Sequence, residues 1–304
     1  MKEYLELRII REYESPLFKE NDGVNLSDCV KKVKIDTSMP IFEELRKHNE
    51  TVRKSGGLLF AGWRYKREYT EEEIKNARFF LMILTRHFEP AGEECGTVYD
   101  EAQACPICKS GAKQLSPLRL KRSSIPHTDI ATTIAGGEEI VVSERFVQLV
   151  KEHQLTGIDF APIMSNSKWE KPLNYYQVRP LHYLEFSEKT QFGHNPFDLS
   201  ERFPQYTSEH QRPDGTIYQE TQPEIILKCP RGDNAGDHIL TEAFIKENPI
   251  LNSVDFFASK QTIGARMGLH RQRHLLFCSN RMMQLIKKNK LKGFDFEIAH
   301  IVNK

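Results

Sequence analysis

The chain has 304 residues, with 43 lysines and arginines against 42 aspartates and glutamates and a formal net charge of +1. This length is more than a single hydrophobic core usually organises, so we expect either two compact units or one elaborated domain. The near-neutral charge excludes a strong whole-molecule attraction to polyphosphate or anionic lipid, so a nucleic-acid partner would need a local basic patch.

The first 18 residues, MKEYLELRIIREYESPLF, lack the continuous apolar stretch of a secretion signal. The chain also has no run of the roughly 18 apolar residues that a membrane-spanning helix needs. We therefore expect a cytoplasmic protein that does not bind membranes. Thiols stay reduced in the cytosol, so a compact cysteine cluster there indicates a metal or catalytic site more than a disulfide framework.

The N-terminal third contains three predicted strands and one short helix. Residues 3–10 alternate between apolar and polar, and residues 58–69 follow a serine-glycine turn; both patterns are typical of strands. Thr70 and Glu73 have the spacing of a capping box, which predicts the start of a short helix. The apolar run at 78–84 predicts a buried strand that leads into the cysteine segment.

An internal repeat is the clearest pattern in the chain. Residues 143–160, SERFVQLVKEHQLTGIDF, and residues 279–296, SNRMMQLIKKNKLKGFDF, align without a gap and are identical at about half of their positions. Each copy follows an apolar run and begins with a serine, so we expect a strand, a serine N-cap and an amphipathic helix. Gly157 and Gly293 are predicted to end the two helices in a left-handed conformation before a second strand begins.

These elements predict an α+β fold, with mixed sheets, two related strand-helix-strand units and an inserted zinc-ribbon-like loop. The predicted N-terminal α+β region covers residues 1–115 and ends in the zinc-ribbon-like segment at 79–115. The predicted C-terminal α+β region covers residues 116–304. It holds the two similar units, at about 139–164 and 275–302.

Three of the six cysteines lie within the short stretch EECGTVYDEAQACPICKS. Cys105 and Cys108 form a C-x2-C knuckle, a tight turn that lets two thiolates reach one tetrahedral Zn²⁺. Cys95 is the third candidate ligand. A complete local ribbon would place its fourth cysteine at position 92, where this chain has a glycine that cannot bind metal.

The fourth ligand must therefore come from elsewhere in the chain. Cys229 stands before a proline in a second Cys-Pro turn, and His87 lies eight residues before Cys95. We favour Cys229 because thiolate-rich sites suit structural zinc, which makes the predicted metal ligands Cys95, Cys105, Cys108 and Cys229. A redox role for the C-x2-C pair is less favoured, because no amphipathic helix begins after Cys108 to lower a thiol pKa.

Several segments resemble a known family. The stretches EECG…CPIC, KSGAKQLSPL, IVVSERF…GIDF and KGFDFEIAH are similar to those of the bacterial double-CXXCG-motif proteins, over a region from about Phe79 to the C-terminus. The serine-helix-glycine-strand ending is also similar to immunity-protein families of bacterial polymorphic toxin systems. Gly92 and Lys109 depart from the family pattern, at the leading cysteine of the first motif and at the glycine after the second pair. The resemblance implies a metal site and an architecture but no established reaction.

We therefore expect a zinc-binding protein of binding or accessory type, which recognises a partner protein such as a toxin; the sequence leaves open whether it also has an enzymatic activity. A nucleic-acid-binding zinc-ribbon protein is an alternative, because a basic cluster adjoins the knuckle. A hydrolase with a spatially assembled site is a further alternative. The cluster comprises Lys109, Lys113, Arg119, Lys121 and Arg122.

Overall fold

The computed structural model of the chain shows two compact units, Met1–Asn76 with Asn195–Asp198, and Ala77–His194 with Leu199–Lys304. The fold is of mixed α+β type with several sheets, as the sequence predicts. The structure describes the whole chain except residues 15, 16, 20, 107, 168–170, 194, 198–201, 204, 205, 212–215, 223, 224, 227, 228, 230, 231, 235, 237, 265, 267 and 304.

The first unit is built on an antiparallel sheet with a helix against it. Its elements are β1 (Lys2–Ile10), β2 (Val24–Asn25), β3 (Val30–Asp36), α1 (Ile41–Lys54), β4 (Phe60–Glu68) and α2 (Glu71–Asn76). The strand order is β2-β3-β1-β4. Alternate residues of β1 point into the core, where Leu5, Leu7 and Ile9 are fully buried and pack with Leu45 and Val52 of α1.

The predicted capping box starts α2. The backbone N–H of Thr70 donates to Glu73 Oε2 at 2.7 Å, and the backbone N–H of Glu73 donates to Thr70 Oγ1 at 3.2 Å. Both residues thus satisfy a backbone donor that the first turn of a helix leaves without an intrahelical partner. This part of the prediction is confirmed.

The second unit contains two six-stranded sheets and two helices. Its elements are β5 (Phe79–Leu84), β6 (His87–Phe88), β7 (Tyr99–Asp100), β8 (Lys113–Gln114), β9 (Arg119–Leu120), β10 (Ile130–Thr133), β11 (Ile140–Ser143), α3 (Glu144–Glu152), β12 (Ile158–Ser165), β13 (Pro172–Pro180), β14 (Tyr183–Leu184), β15 (Phe192–Gly193), β16 (Arg202–Phe203), β17 (Tyr206–Gln211), β18 (Ile217–Gln222), β19 (Ile225–Ile226), β20 (His238–Ile239), β21 (Ala243–Lys246), β22 (Phe256–Ile263), β23 (Arg273–Ser279), α4 (Asn280–Lys288) and β24 (Phe294–Val302).

The two large sheets have the same design. Their strand orders are β6-β10-β11-β13-β12-β9 and β14-β22-β23-β5-β24-β21. In both, the outermost strand at each edge pairs in parallel and the inner strands pair antiparallel. The predicted strand-helix-strand units, β11-α3-β12 and β23-α4-β24, occupy equivalent places in the two sheets.

The register of the sheets shows that the duplication extends beyond the 18-residue repeat. Val141 pairs with Gln177 in the first sheet, and its repeat equivalent Phe277 pairs with Leu81 in the second. Leu81 of β5 and Gln177 of β13 are therefore equivalent, and the other residues of these two strands correspond in the same register. The duplicated unit runs from β5 to β12 in a first copy, residues 79–165, and from β13 to β24 in a second copy, residues 172–302.

The two copies exchange one strand. β5 begins the first copy but lies between β23 and β24, whereas β13 begins the second copy but lies between β11 and β12. β5 and the cysteine segment both lie in the second compact unit. The two units divide after Asn76, whereas the region boundary predicted from the sequence lies at 115/116.

The serine N-caps of α3 and α4 are confirmed. Ser143 Oγ accepts the N–H of Phe146 at 3.2 Å, and Ser279 Oγ accepts that of Met282 at 3.1 Å. The helix ends differ from the prediction, because the left-handed residues that directly follow the helices are Gln154 and Lys290 and not the glycines.

Gly157 and Gly293 serve a different purpose at the start of the following strands. Both have a positive φ, of 89° and 100°. A Cβ at Gly157 would collide with the carbonyl oxygen of Phe256, and a Cβ at Gly293 with that of Ile130. Each glycine thus allows its copy to approach the backbone of the other copy closely.

Four α-helices lie in the described part of the chain, and none of them is both long and apolar enough to cross a membrane.

Candidate metal centre

Three cysteines from distant parts of the chain meet in the second unit. The Sγ atoms of Cys105, Cys108 and Cys229 lie within 4.8 Å of one another. All three residues are buried, with exposed fractions of 2%, 1% and 6%. Cys105 and Cys108 lie between β7 and β8, and Cys229 lies between β19 and β20, so the sheet topology brings the two loops together.

The first loop is a closed knuckle. The N–H of Cys105 donates to the carbonyl oxygen of Ser110 at 2.8 Å, and the N–H of Lys109 donates to that of Cys105 at 2.9 Å. Lys109 adopts a positive φ of 61°, the conformation that a glycine commonly supplies in such a turn. The turn points both thiols of the C-x2-C pair in one direction.

The second loop closes in a similar way. The N–H of Cys229 donates to the carbonyl oxygen of Asp233 at 3.0 Å, and the N–H of Gly232 donates to that of Cys229 at 2.9 Å. In both loops the leading cysteine therefore stands at the start of a tight turn that closes on its own N–H.

A buried carboxylate lies beside the sulfurs. Asp233 is 8% exposed, and its Oδ2 lies 3.6 Å from Cys229 Sγ and 3.9 Å from Cys108 Sγ. The hydroxyl of Ser110 donates to the same oxygen at 2.5 Å. The other carboxylate oxygen, Oδ1, accepts the backbone N–H of Thr262 at 2.9 Å.

Backbone hydrogen bonds anchor one loop to the end of β22 and the other to Arg266, shortly after this strand. The N–H of Asn234 donates to the carbonyl oxygen of Thr262 at 2.9 Å. The N–H of Arg266 donates to the carbonyl oxygen of Cys108 at 3.4 Å. The thiols are thus held against a strand of the core.

The surroundings of the thiols favour a cation. Burial raises the pKa of the Cys108 thiol, against the opposing influence of its hydrogen bonds with Ser110. A buried thiolate is stable only beside positive charge, and a divalent metal ion supplies that charge directly. Three thiols in this arrangement can therefore hold a metal ion.

Cys95 lies apart from this group. It ends a short 3-10 turn, Glu93–Cys95, and its Sγ accepts a hydrogen bond from Asn166 Nδ2 at 3.9 Å. Burial raises the pKa of this thiol as well. The structure does not bring Cys95 together with the three grouped sulfurs, and its role as a ligand stays a prediction.

The backbone at position 92 is tightly surrounded by side chains. The N–H of Gly92 donates to Glu139 Oε2 at 2.8 Å. A Cβ at Gly92 would lie 2.7–2.8 Å from atoms of Glu139, Leu118 and Thr97. A side chain at this position would require its neighbours to move.

His87, the alternative fourth ligand, lies in β6 and pairs with Thr132 of β10. Its side chain is exposed, and His87 is not a member of the thiol group.

Asp233 and Ser110 are neighbours of the sulfurs that the cysteine spacing does not predict as part of the site. The sequence contains a signal for Asp233, because Gly232 stands where a C-x2-C knuckle beginning at Cys229 would have its second cysteine. A carboxylate immediately after that position is a recognisable candidate for a side chain that lies beside the sulfurs. Ser110 has no comparable signal, since its importance arises from a contact with a residue far away in the chain.

Comparison of the chain with protein-family models finds no match, and comparison with curated proteins finds no significant relative.

Proposed function

We propose that Cys105, Cys108 and Cys229 bind one Zn²⁺ ion in a zinc-ribbon-like structural site. The observation that carries the proposal is the buried group of three sulfurs within 4.8 Å of one another. Thiolate ligands select zinc and a few other soft metals, and tetrahedral thiolate-rich sites are typical of structural zinc.

A structural role is favoured over a catalytic one by the surroundings of the site. The sulfurs are buried, and the two loops that carry them are held to β22 and to Arg266 by backbone hydrogen bonds. A catalytic zinc site keeps one position open to water or substrate. The ion would instead hold the two loops in a fixed shape.

We further propose that the protein is of binding or accessory type, an immunity-type protein that recognises a partner toxin. Support comes from the resemblance of the segments around the knuckle and the two repeats to double-CXXCG-motif and immunity families. In this proposal the metal shapes a binding protein and takes no part in a reaction.

The metal proposal is tested by elemental analysis of freshly purified protein together with two variants. The parent should contain about one zinc per chain, and Cys105→Ser or Cys108→Ser should release the metal and sharply lower the melting temperature, because structural zinc binding is coupled to folding. The exposed Cys29 supplies the matched control, since Cys29→Ser should keep both metal and stability. A parent without stoichiometric metal, or serine variants that melt like the parent, would contradict the proposal.

The partner proposal is tested with any toxin domains that are found encoded beside the gene in its native genome. Co-expression with the cognate toxin should restore growth, and the purified pair should form a stable complex. If each neighbouring toxin is neither bound nor neutralised by the zinc-loaded protein, the immunity-type role is wrong.

A nucleic-acid-binding role has one specific observation in its favour. Lys109, Lys113, Lys121 and Arg122 are exposed and lie within or shortly after the knuckle segment. Binding through such a patch would weaken steeply as salt is raised. Retention on DNA or RNA that shows this dependence, with no binding to toxin, would favour this role.

A further inference from the structure

We propose that Asp233 is the fourth ligand of the metal, so that the site has three thiolates and one carboxylate. This inference rests on the zinc site proposed above and adds a ligand that comes from neither the C-x2-C pair nor the other cysteines.

The distances from Asp233 Oδ2 to two of the sulfurs are close to those expected around a shared tetrahedral ion. A Zn–S bond of about 2.3 Å and a Zn–O bond of about 2.0 Å at a tetrahedral angle place the oxygen about 3.5 Å from each sulfur. Asp233 Oδ2 lies 3.6 Å from Cys229 Sγ and 3.9 Å from Cys108 Sγ. Asp233 is not itself within 4.8 Å of all three sulfurs, so its carboxylate must move towards Cys105 for the four groups to surround one ion.

The carboxylate is oriented by neighbours that occupy its other positions. Oδ1 accepts the N–H of Thr262 at 2.9 Å, which turns Oδ2 towards the sulfurs. The hydroxyl of Ser110 donates to Oδ2 at 2.5 Å. Metal-binding carboxylates are commonly held by hydrogen bonds of this kind, which fix the ligand before the ion arrives.

A cation bound by the thiolates would also match the charge of Asp233. Asp233 is 8% exposed, and a nearby positive charge lowers the cost of burying a carboxylate. A divalent ion bound by all four groups would compensate this charge. The same ion would then explain why a carboxylate is buried at this place.

The duplicated architecture explains why an aspartate supplies the fourth ligand. The loop of Cys105 lies between β6 and β9 of the first copy, and the loop of Cys229 lies between the equivalent β14 and β21 of the second copy. The position equivalent to Cys108 is Gly232, which is exposed and has a φ of 82°. The next residue, Asp233, turns inward and places its oxygen beside the sulfurs.

The test compares Asp233→Cys and Asp233→Asn with the parent after substitution of zinc by Co²⁺, whose absorption reports the ligand set. Asp233→Cys should strengthen the thiolate-to-cobalt charge-transfer absorption by about a third, since the number of thiolates rises from three to four. Asp233→Asn should weaken zinc affinity roughly tenfold or more in a chelator competition, since it removes a charged ligand. Asp28→Asn, a change at an exposed aspartate in the first unit, serves as the control and should leave both readings unchanged.

The outcomes separate this inference from the zinc proposal. If the parent binds no Co²⁺, or if Cys105→Ser and Cys108→Ser bind it as the parent does, the zinc site itself is wrong. If those variants lose the metal while Asp233→Asn keeps parental affinity and Asp233→Cys keeps the parental spectrum, the site is real and Asp233 is not its ligand. The cysteine variant keeps the test decisive if Asp233→Asn fails to fold.

Discussion

At the scale of single residues, the cysteines occupy different chemical environments. Cys29 is exposed, whereas Cys278 in β23 is completely buried. Burial, with a further contribution from the charge of Asp255, raises the pKa of the Cys278 thiol. The reactivity of a thiol follows its exposure and its ionised fraction, so these two cysteines should differ strongly.

Thiol labelling of the native protein checks this difference. Cys29 should react rapidly with a chromogenic disulfide reagent, and Cys278 should react only after the protein is unfolded. In zinc-loaded protein, Cys105, Cys108 and Cys229 should become reactive when a chelator is added. Mass spectrometry of the labelled peptides identifies each site, and labelling of Cys278 at the rate of Cys29 would contradict the structure.

Substitution of Gly157 provides a second test at this scale. Gly157→Ala should destabilise the protein by roughly 2–4 kcal/mol, because a Cβ at this positive φ also meets the Phe256 backbone. Gly268, with a φ of 58° and no atom within 4 Å of a Cβ, lies in the same unit and is the matched control. Gly268→Ala should cost about 1 kcal/mol. Chemical denaturation measures both values, and equal losses would show that the close approach is not important.

At the scale of elements, each helix is tied to the other copy at both ends. Ser279 Oγ at the start of α4 donates to Asp255 Oδ1 of its own copy at 2.7 Å. Arg281 Nη2 reaches the other copy and donates to the carbonyl oxygen of His153 at the end of α3, at 2.5 Å. In return, Arg145 at the start of α3 donates to the carbonyl oxygen of Asn289 at the end of α4. An arginine therefore satisfies a carbonyl at the negative end of the other helix in both directions.

Removal of the N-cap of α4 should measure how much Ser279 contributes to the unfolding free energy. Ser279→Ala removes both the cap of α4 and the contact with Asp255, and should cost about 1–2 kcal/mol of unfolding free energy. Ser123→Ala, at an exposed serine of the same unit, should change the unfolding free energy by less than about 0.5 kcal/mol. Urea titration of both variants checks the values, and similar midpoints would contradict the proposed role of the cap.

The helices show which features a sequence can reveal. Serine caps and the capping box of α2 depend on residues three apart, and the sequence predicts them correctly. The function of Gly157 depends on Phe256, a residue distant in the chain, so a local reading assigns it to the helix end instead. β5 and β13 share a place in the two sheets but no identical residue between FFLMIL and YYQVRP. Their equivalence is thus visible only in the register of the sheets.

At the scale of the whole molecule, the exchange of β5 and β13 makes the two copies interdependent. Each six-stranded sheet has a central strand from the other copy, and that strand pairs on both sides. Neither copy can complete its own sheet alone.

Cleavage of the chain between the copies tests this dependence. A protease site inserted after the exposed Ser167 should allow cutting, yet the two fragments should elute together in size-exclusion chromatography because their exchanged strands remain paired. They should separate only in denaturant. Separation of the fragments in native buffer would show that the exchanged strands do not hold the copies together.

In the metal centre, too, contacts between residues distant in the chain are the ones that the sequence does not reveal. The C-x2-C spacing predicts Cys105 and Cys108, and the second Cys-Pro turn predicts Cys229, because short turns have recognisable chemistry. Cys95 is nearer to the knuckle in the chain than Cys229 but lies outside the group of sulfurs. Proximity in space is set by the pairing of strands, and the sequence alone does not contain that pairing.

The strand exchange also bears on how this protein can change over evolutionary time. A substitution in β5 alters the sheet of the second copy, which carries α4, although β5 belongs to the first copy in the sequence. Neither half can be recombined, replaced or lost as an independent module, and the two halves must diverge as partners.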